Sequence, residues 1–421
     1  MATRPTHPVL RTGRHYGLAF ILCFAGAVLG AAQQSRIRDI ESQAVAARSR
    51  GDASAALAAW QQAAALDPKS ARIQDEIGFL LAVLNRRDEA LLYFERALAL
   101  DPQWAPAHYH MGVAFWLAGD PTQAIPHLES AARIEPKSFD YRLYFGQALN
   151  ATSQFSAALS HLAAATALNP KSSEAWNQLG LARQRTGDTA AAIQAYRRAV
   201  TLLPGNLDAR NNLGVVLVNS GRAEEGLAQF EKILAIDPTN DMARVNAGFA
   251  HLQKADLDRA AAEFREVLRR DPSSAIAHYD LGVALKQKDD LESARIELAL
   301  AVSLDPQLAE AHYTLGIIHW QSGEFEQAVR EMRAAIDINP AYGEAYFMLG
   351  TALKQSGDLD SAETFLRKAI RYEPANPGPY NTLAQLLRQK GDIEASREVF
   401  EEGAKVKRKK EAELGKMLQK R

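Results

Sequence analysis

The chain has 421 residues, 47% hydrophobic and 24% charged, with 49 Lys and Arg against 50 Asp and Glu for a net charge of −1. One cysteine excludes a disulfide framework, and near-neutrality excludes a chain that is basic from end to end. Length alone suggests about three domains of roughly 150 residues, an expectation that an internal repeat would replace.

In chain order the first element is a leader. Arg4, Arg11 and Arg14 appear without an acid and are followed by an apolar run from Leu18 to Ala32. That is a secretory signal pattern, with Gly30 and Ala32 as the small residues a signal peptidase requires and cleavage expected after Ala32. The run has 15 residues, against roughly 20 needed to span a bilayer. Counting Tyr16 and Gly17 leaves an uncleaved membrane tether through residues 16–32 as the alternative. The expected location is accordingly exported, periplasmic or secreted, or else anchored in the inner membrane. Ile21 and Leu22 before Cys23 lack the small residue of a lipoprotein signal. Residues 1–32 are thus read as signal peptide or signal anchor, 33–410 as the repeat array described next, and 411–421 as a basic capping helix or tail.

From residue 37 onward one phrase returns on a fixed count. Proline recurs at 68, 102, 136, 170, 204, 238, 272, 306, 340 and 374, always 34 apart. Nine glycines keep the same interval from Gly78 to Gly350, and Ala90, Ala124, Ala158, Ala192, Gly226, Ala260, Ala294, Ala328 and Ala362 form a small-residue series. Eleven units begin at 37, 71, 105, 139, 173, 207, 241, 275, 309, 343 and 377.

Residues 309–342 show what one unit does. His312, Leu315, Gly316 and His319 share one helical face, which Gly323 ends. Phe325, Ala328, Val329, Met332 and Ala335 form a second stripe that Pro340 stops, because proline lacks the N–H and clashes with the preceding turn. Each unit is therefore a helical hairpin. A mid-helix glycine costs roughly 0.5–1 kcal/mol, so Gly316 and its equivalents are expected to permit close helix approach, with Ala328 facing the missing side chain. Neither helix buries its stripe alone, and the hairpins must stack.

The pattern resembles the tetratricopeptide repeat, carried here by Trp176, Leu179, Gly180, Ala192, Tyr196, Ala199 and Pro204 and their equivalents. The resemblance implies an all-α fold, a right-handed superhelical solenoid of helix-turn-helix repeats. Departures fall at the ends, where Ala44 and Ala384 replace the glycine and Arg408 the final proline. Pro126 inside a second helix predicts a late start or kink between Pro121 and Pro126.

Charge is uneven. Residues 1–36 carry +4 and 405–421 carry +6, so the total of −1 leaves −11 on residues 37–404. An acidic array argues against nucleic acid as a ligand. Lys405, Lys407, Arg408, Lys409 and Lys410 read as a solvated helix end suited to the helix dipole. Phosphate-cradling loops, paired cysteines and nucleophile motifs are missing from the sequence, so neither catalysis nor a cofactor is expected. His278 and His312 occupy a packing position that Trp176, Tyr346 and Tyr380 fill elsewhere, which favours core histidines over metal ligands.

Function is then expected on the surface the repeats present, as a non-enzymatic scaffold for a partner protein or extended peptide. The resemblance places the second, fifth, ninth, twelfth and thirteenth positions of each first helix in a concave groove. That assigns Tyr109, Trp116, Asn177, Asn211, Tyr279, Tyr313, Trp320 and Phe347 to partner binding, with rings 279, 313 and 347 stacked in a row, unless the tyrosines pack on the neighbouring helix. Asn177, Asn211, Asn212 and Asn246 resemble, incompletely, the asparagine ladder of O-linked N-acetylglucosamine transferases, whose amides would pair with a peptide backbone. The lysine and asparagine clamp of chaperone-binding members is not present, since its positions hold Glu41, Asp75 and Tyr109. The remaining readings are a membrane-tethered periplasmic assembly factor, or the regulatory array of a separate-chain transferase.

Overall fold

The structure, a computed structural model, describes residues 32–418. Among these there is no strand, and twenty-two helices pair into eleven hairpins. The first six hairpins are α1 (32–49) with α2 (Ala53–Leu66), α3 (Ala71–Val83) with α4 (Arg87–Leu100), α5 (Ala105–Leu117) with α6 (Pro121–Ile134), α7 (Phe139–Ala151) with α8 (Phe155–Leu168), α9 (Ser173–Arg185) with α10 (Thr189–Leu202), and α11 (Leu207–Asn219) with α12 (Ala223–Ile236). The rest are α13 (Asp241–Gln253) with α14 (Leu257–Arg270), α15 (Ala275–Gln287) with α16 (Leu291–Leu304), α17 (Ala309–Gln321) with α18 (Phe325–Ile338), α19 (Gly343–Ser356) with α20 (Leu359–Tyr372), and α21 (Pro377–Lys390) with α22 (Ile393–Leu418). The chain divides into two compact bodies, one ending at Ala209 and one starting at Arg210. Inside each body helices pack on their sequence neighbours, and first helices also touch the next first helix, α5 on α7 and α17 on α19 among them.

The turn inside every hairpin has one geometry. At 51, 85, 119, 153, 187, 221, 255, 289, 323, 357 and 391 the backbone takes a positive φ between 56° and 90°. The next residue's N–H then bonds back five residues, as in Asp256 to the His251 carbonyl at 2.9 Å, which closes the first helix in a Schellman motif. Seven of the eleven turn residues are glycine; Asn85, Ser153, Ala255 and Asp289 adopt the same conformation with a side chain. The residue that follows starts the second helix. Asp52, Asp120, Asp188, Asp256, Asp290, Asp358 and Asp392 each accept a backbone N–H three residues on and so cap it. Arg86 and Arg222 cannot cap, and instead grip Glu89 and Glu225 across the first turn with paired bonds of 2.7–2.8 Å.

The glycine series does permit close approach, but its partner is not the alanine. A β-carbon on Gly316 would lie 2.9 Å from Met332 Cε, and one on Gly180 2.6 Å from the Tyr196 ring. In all nine glycine units, the large residue sixteen positions on fills the space: Phe94, Leu128, Leu162, Tyr196, Phe230, Phe264, Leu298, Met332 and Leu366. Ala328 and its equivalents are fully buried one turn earlier, letting the backbones meet there.

The recurring proline also has a partner. Its carbonyl, left over at the junction between hairpins, accepts a hydrogen bond from the side chain six residues on, at 2.9–3.3 Å, from Gln74, His108, Arg142, Trp176, Arg244, His278, His312 and Tyr380. One donor requirement thus explains why so varied a set occupies the fourth position of the unit. Pro126 brings no late start: α6 begins at Pro121, capped by Asp120, and runs unbroken to Ile134. With Arg408 where proline would stand, α22 continues to Leu418, carrying the basic run on a helix.

Candidate partner-binding groove

In the first body Tyr109 is half-buried, its ring 4.8 Å from Tyr141 and 5.6 Å edge-on from Tyr144, both on α7. Burial raises its hydroxyl pKa and pushes that of Tyr141 up to about 12. Trp116 packs beside the core of the same hairpins. Asn177 is 7% exposed, buried on α9 and engaged there, so little of its amide is offered to a passing backbone. Tyr109 therefore helps to hold neighbouring hairpins together.

In the second body the same holds for most of the expected surface. Asn246 donates to Asn211 at 2.8 Å, so each amide spends one group on the other, and Asn212 is also engaged. Tyr313 meets Tyr342, the residue that precedes α19, with ring centroids 4.9 Å apart and tilted by 40°; no ring pair joins 279, 313 and 347, so the expected aromatic row does not form. Phe347 packs against the core of the last hairpins and lies over Gly378. Trp320 is half-buried with its indole N–H unpartnered. Tyr279 is half-buried, and burial raises its pKa.

Two contacts share one offset, in which the sixth position of one first helix bonds the fifth position of the previous one: His110 to Asp75 at 2.8 Å and Asn246 to Asn211. For Asp280 the residue at that offset is Val245, which has no polar group to bond it. Asp280 is 3% exposed, its Oδ2 has no partner, and burial pushes its pKa up to about 7.

What stays open on the first-helix face lies between these contacts. Met242, Phe249 and Ile276, at second and ninth positions of α13 and α15, are 65%, 41% and 62% exposed. Beside Phe249 a cavity of about 210 Å³ is lined by Val215, Val218, Phe230 and Leu252, with the amides of Asn219, Asn246 and Gln253 at its polar points. Asn219 and Gln253 begin a thirteenth-position series that continues through Gln287, Gln321, Gln355 and Gln389, all exposed. The series keeps the 34-residue interval and was available to the same periodic reading that found the prolines.

His278 and His312 are satisfied as core residues. Their Nδ1 atoms lie 2.6 and 2.7 Å from Glu297 and Glu331, and their Nε2 atoms bond proline carbonyls. Among the described residues no three metal-binding side chains converge.

A tetratricopeptide repeat model matches residues 42–103, 76–139, 143–206, 178–241, 246–309 and 313–379, and a second tetratricopeptide repeat model matches 355–420. The chain belongs to the tetratricopeptide repeat family. A search of curated protein sequences found no match. Among solved structures, a tetratricopeptide repeat protein from Parabacteroides merdae is 16% identical with a TM-score of 0.51, covering 59% of this chain and 98% of that one. YrrB, described as a TPR protein with an unusual peptide-binding site, is 26% identical over 44% of this chain and 95% of its own, with a TM-score of 0.41. MamA is 27% identical over 39% of this chain and 96% of its own, with a TM-score of 0.38. In this tetratricopeptide repeat protein, an apolar opening lies between α11 and α13, and Met242 and Ile276 are exposed on α13 and α15.

Proposed function

We propose that the protein is a non-enzymatic interaction scaffold that binds an extended segment of a partner protein across α11, α13 and α15. The observation that carries this reading is the cavity beside Phe249, together with the exposed Met242 and Ile276 at second positions of α13 and α15. Water gains little hold on such a surface, and burying these three side chains against a partner supplies the apolar core an interface needs. The rim amides Asn219 and Gln253 can each donate and accept, which suits a peptide backbone. A segment with a Leu- or Phe-sized residue entering the cavity, its backbone running past the amides, fits both features.

A displayed peptide library selected on the intact protein tests this. Enrichment of sequences with one dominant apolar position, lost when Met242, Phe249 and Ile276 are changed together to Ser, supports the proposal. Selection of peptides that bind this variant equally well would sink it.

The leader reading is likewise a proposal: residues 1–32 direct export, with cleavage after Ala32, the tether through 16–32 being the alternative. Residues 1–31 lie outside the described residues, and among those described no helix is long and apolar enough to cross a membrane. N-terminal sequencing of the mature protein would find Gln33 first if the leader is removed, and an intact N-terminus in the membrane fraction would support the tether.

A further inference from the structure

The repeat supplies its own control for a polar pair that joins the two helices of a hairpin. The fourth and twenty-third positions face each other, and in three successive units a basic side chain meets a carboxylate there: Arg244 with Glu263 at 3.0 Å, His278 with Glu297, His312 with Glu331. In the fourth unit the same two positions hold Arg142 and His161, 2.7 Å apart. The carboxylate is missing. Arg142 donates through Nε to the Pro136 carbonyl and through Nη1 to His161 Nδ1, so a neutral imidazole stands where those three units carry an anion and where the sixth unit sets Gln229 against Arg210. Burial and the Arg142 charge both lower the His161 pKa, and the Phe145 ring 4.4 Å away fixes the imidazole.

This pair opens into a cleft of about 550 Å³ that also collects Arg133, Glu129, Gln154 and Ala157. Arg133 is exposed and makes no ion pair, and Glu129 binds neither arginine. Gln154 and Ala157 mark the start of α8, whose N-cap Gln154 makes no capping bond, unlike the aspartates that cap most second helices. Two guanidinium groups, a histidine and an uncapped helix N-terminus thus converge on one cleft with a single carboxylate.

We propose that the cleft between α6, α7 and α8 binds an oxyanion, a phosphate or carboxylate group on a ligand or partner, that supplies the carboxylate replaced by His161. Arg142 Nη2 and the α8 amides would hold it, and His161 would take up a proton beside it. The test uses the full chain at constant ionic strength, with inorganic phosphate as probe and the His161 imidazole proton resonance as readout. Phosphate should shift this resonance saturably and raise its titration midpoint by about one unit. Acetate titrated in the same way separates the two sources. Midpoints within a few-fold of each other indicate a carboxylate reader, and phosphate at least about tenfold tighter indicates a phosphate reader.

His161→Glu installs the carboxylate that other units carry, and should keep the fold while abolishing the rise in melting temperature that phosphate gives the unaltered chain. Arg142→Gln keeps a donor to the proline carbonyl, as Gln74 does in its unit, and should weaken phosphate at least about tenfold. A response to both anions that never saturates, or phosphate stabilisation unchanged in either variant, overturns the proposal.

Discussion

Two residues show where a repeat tolerates local strain. Ala255 holds a φ of +56° at a turn that glycine fills in seven units. The left-handed conformation costs a side-chain-bearing residue roughly 1–2 kcal/mol, while glycine gives back about 0.4–1 kcal/mol through the freedom of the unfolded chain. Ala255→Gly should therefore stabilise by about 0.5–1 kcal/mol, read as a higher urea midpoint; a lower midpoint would mean that the turn is not strained. Asp280 is the second. Its pKa is raised by burial, so the folded state prefers the protonated acid. Its contribution is most favourable below the unfolded value near 4 and is lost as pH rises towards 7. Asp280→Asn should raise stability by about 1–3 kcal/mol at pH 8 and change little at pH 4. Equal gains at both pH values would show that the carboxylate charge is not the cause. Neither residue could be picked out from the sequence: Ala255 belongs to a turn series that four non-glycine members conceal, and the isolation of Asp280 depends on Val245 in another helix.

At the scale of the hairpin much more was legible. Proline, glycine and alanine at constant spacing identify two helices and their stop, because each of those residues acts on its own backbone. The partner of the glycine was not legible, since only packing decides which of Ala328 and Met332 lies over Gly316. Gly214→Leu should drive into Phe230, cost on the order of 1–3 kcal/mol by overpacking and first loosen α11 and α12 in hydrogen exchange. Uniform loss of protection along the chain would contradict nearest-neighbour coupling.

The histidines make hairpins respond differently to acid. His312 has its pKa raised by the Glu331 hydrogen bond, so its stabilisation is complete below pH 6.5 and fades as pH rises through the folded value. His127, His161 and His251 have theirs lowered by burial, so the stability they allow is present above pH 6.5 and is lost as pH falls through their folded values. Between pH 8 and 5, amides of α17 and α18 should therefore retain protection better than those of α6, α8 and α13. His312→Gln should remove that advantage, and hydrogen exchange at the two pH values would show it.

For the whole molecule, the family and the all-α architecture were readable from the period alone, and the surface was not. The family resemblance marked Tyr109, Asn177, Asn211, Asn246 and Tyr313, yet Tyr109 meets Tyr141 on α7, Asn211 and Asn246 bond each other, Tyr313 meets Tyr342, and Asn177 is buried. Packing uses these same positions for contacts between hairpins, and a single unit read in isolation has no neighbours to reveal this. Met242, Phe249 and Ile276 remain exposed; Met242 and Ile276 are apolar at a second position that most other units fill with a charged residue, whereas the ninth position of Phe249 is apolar in most units and carries no such mark. The most direct measurement compares two triple variants for melting temperature and for affinity towards a peptide selected on the intact protein. Tyr279, Tyr313 and Trp320 changed to Ala should lower melting by several degrees or more and leave affinity within a few-fold. Met242, Phe249 and Ile276 changed to Ser should leave melting nearly unchanged and weaken binding at least about thirtyfold. The reverse pattern, binding lost with the tyrosines and retained without Phe249, would contradict the proposed site.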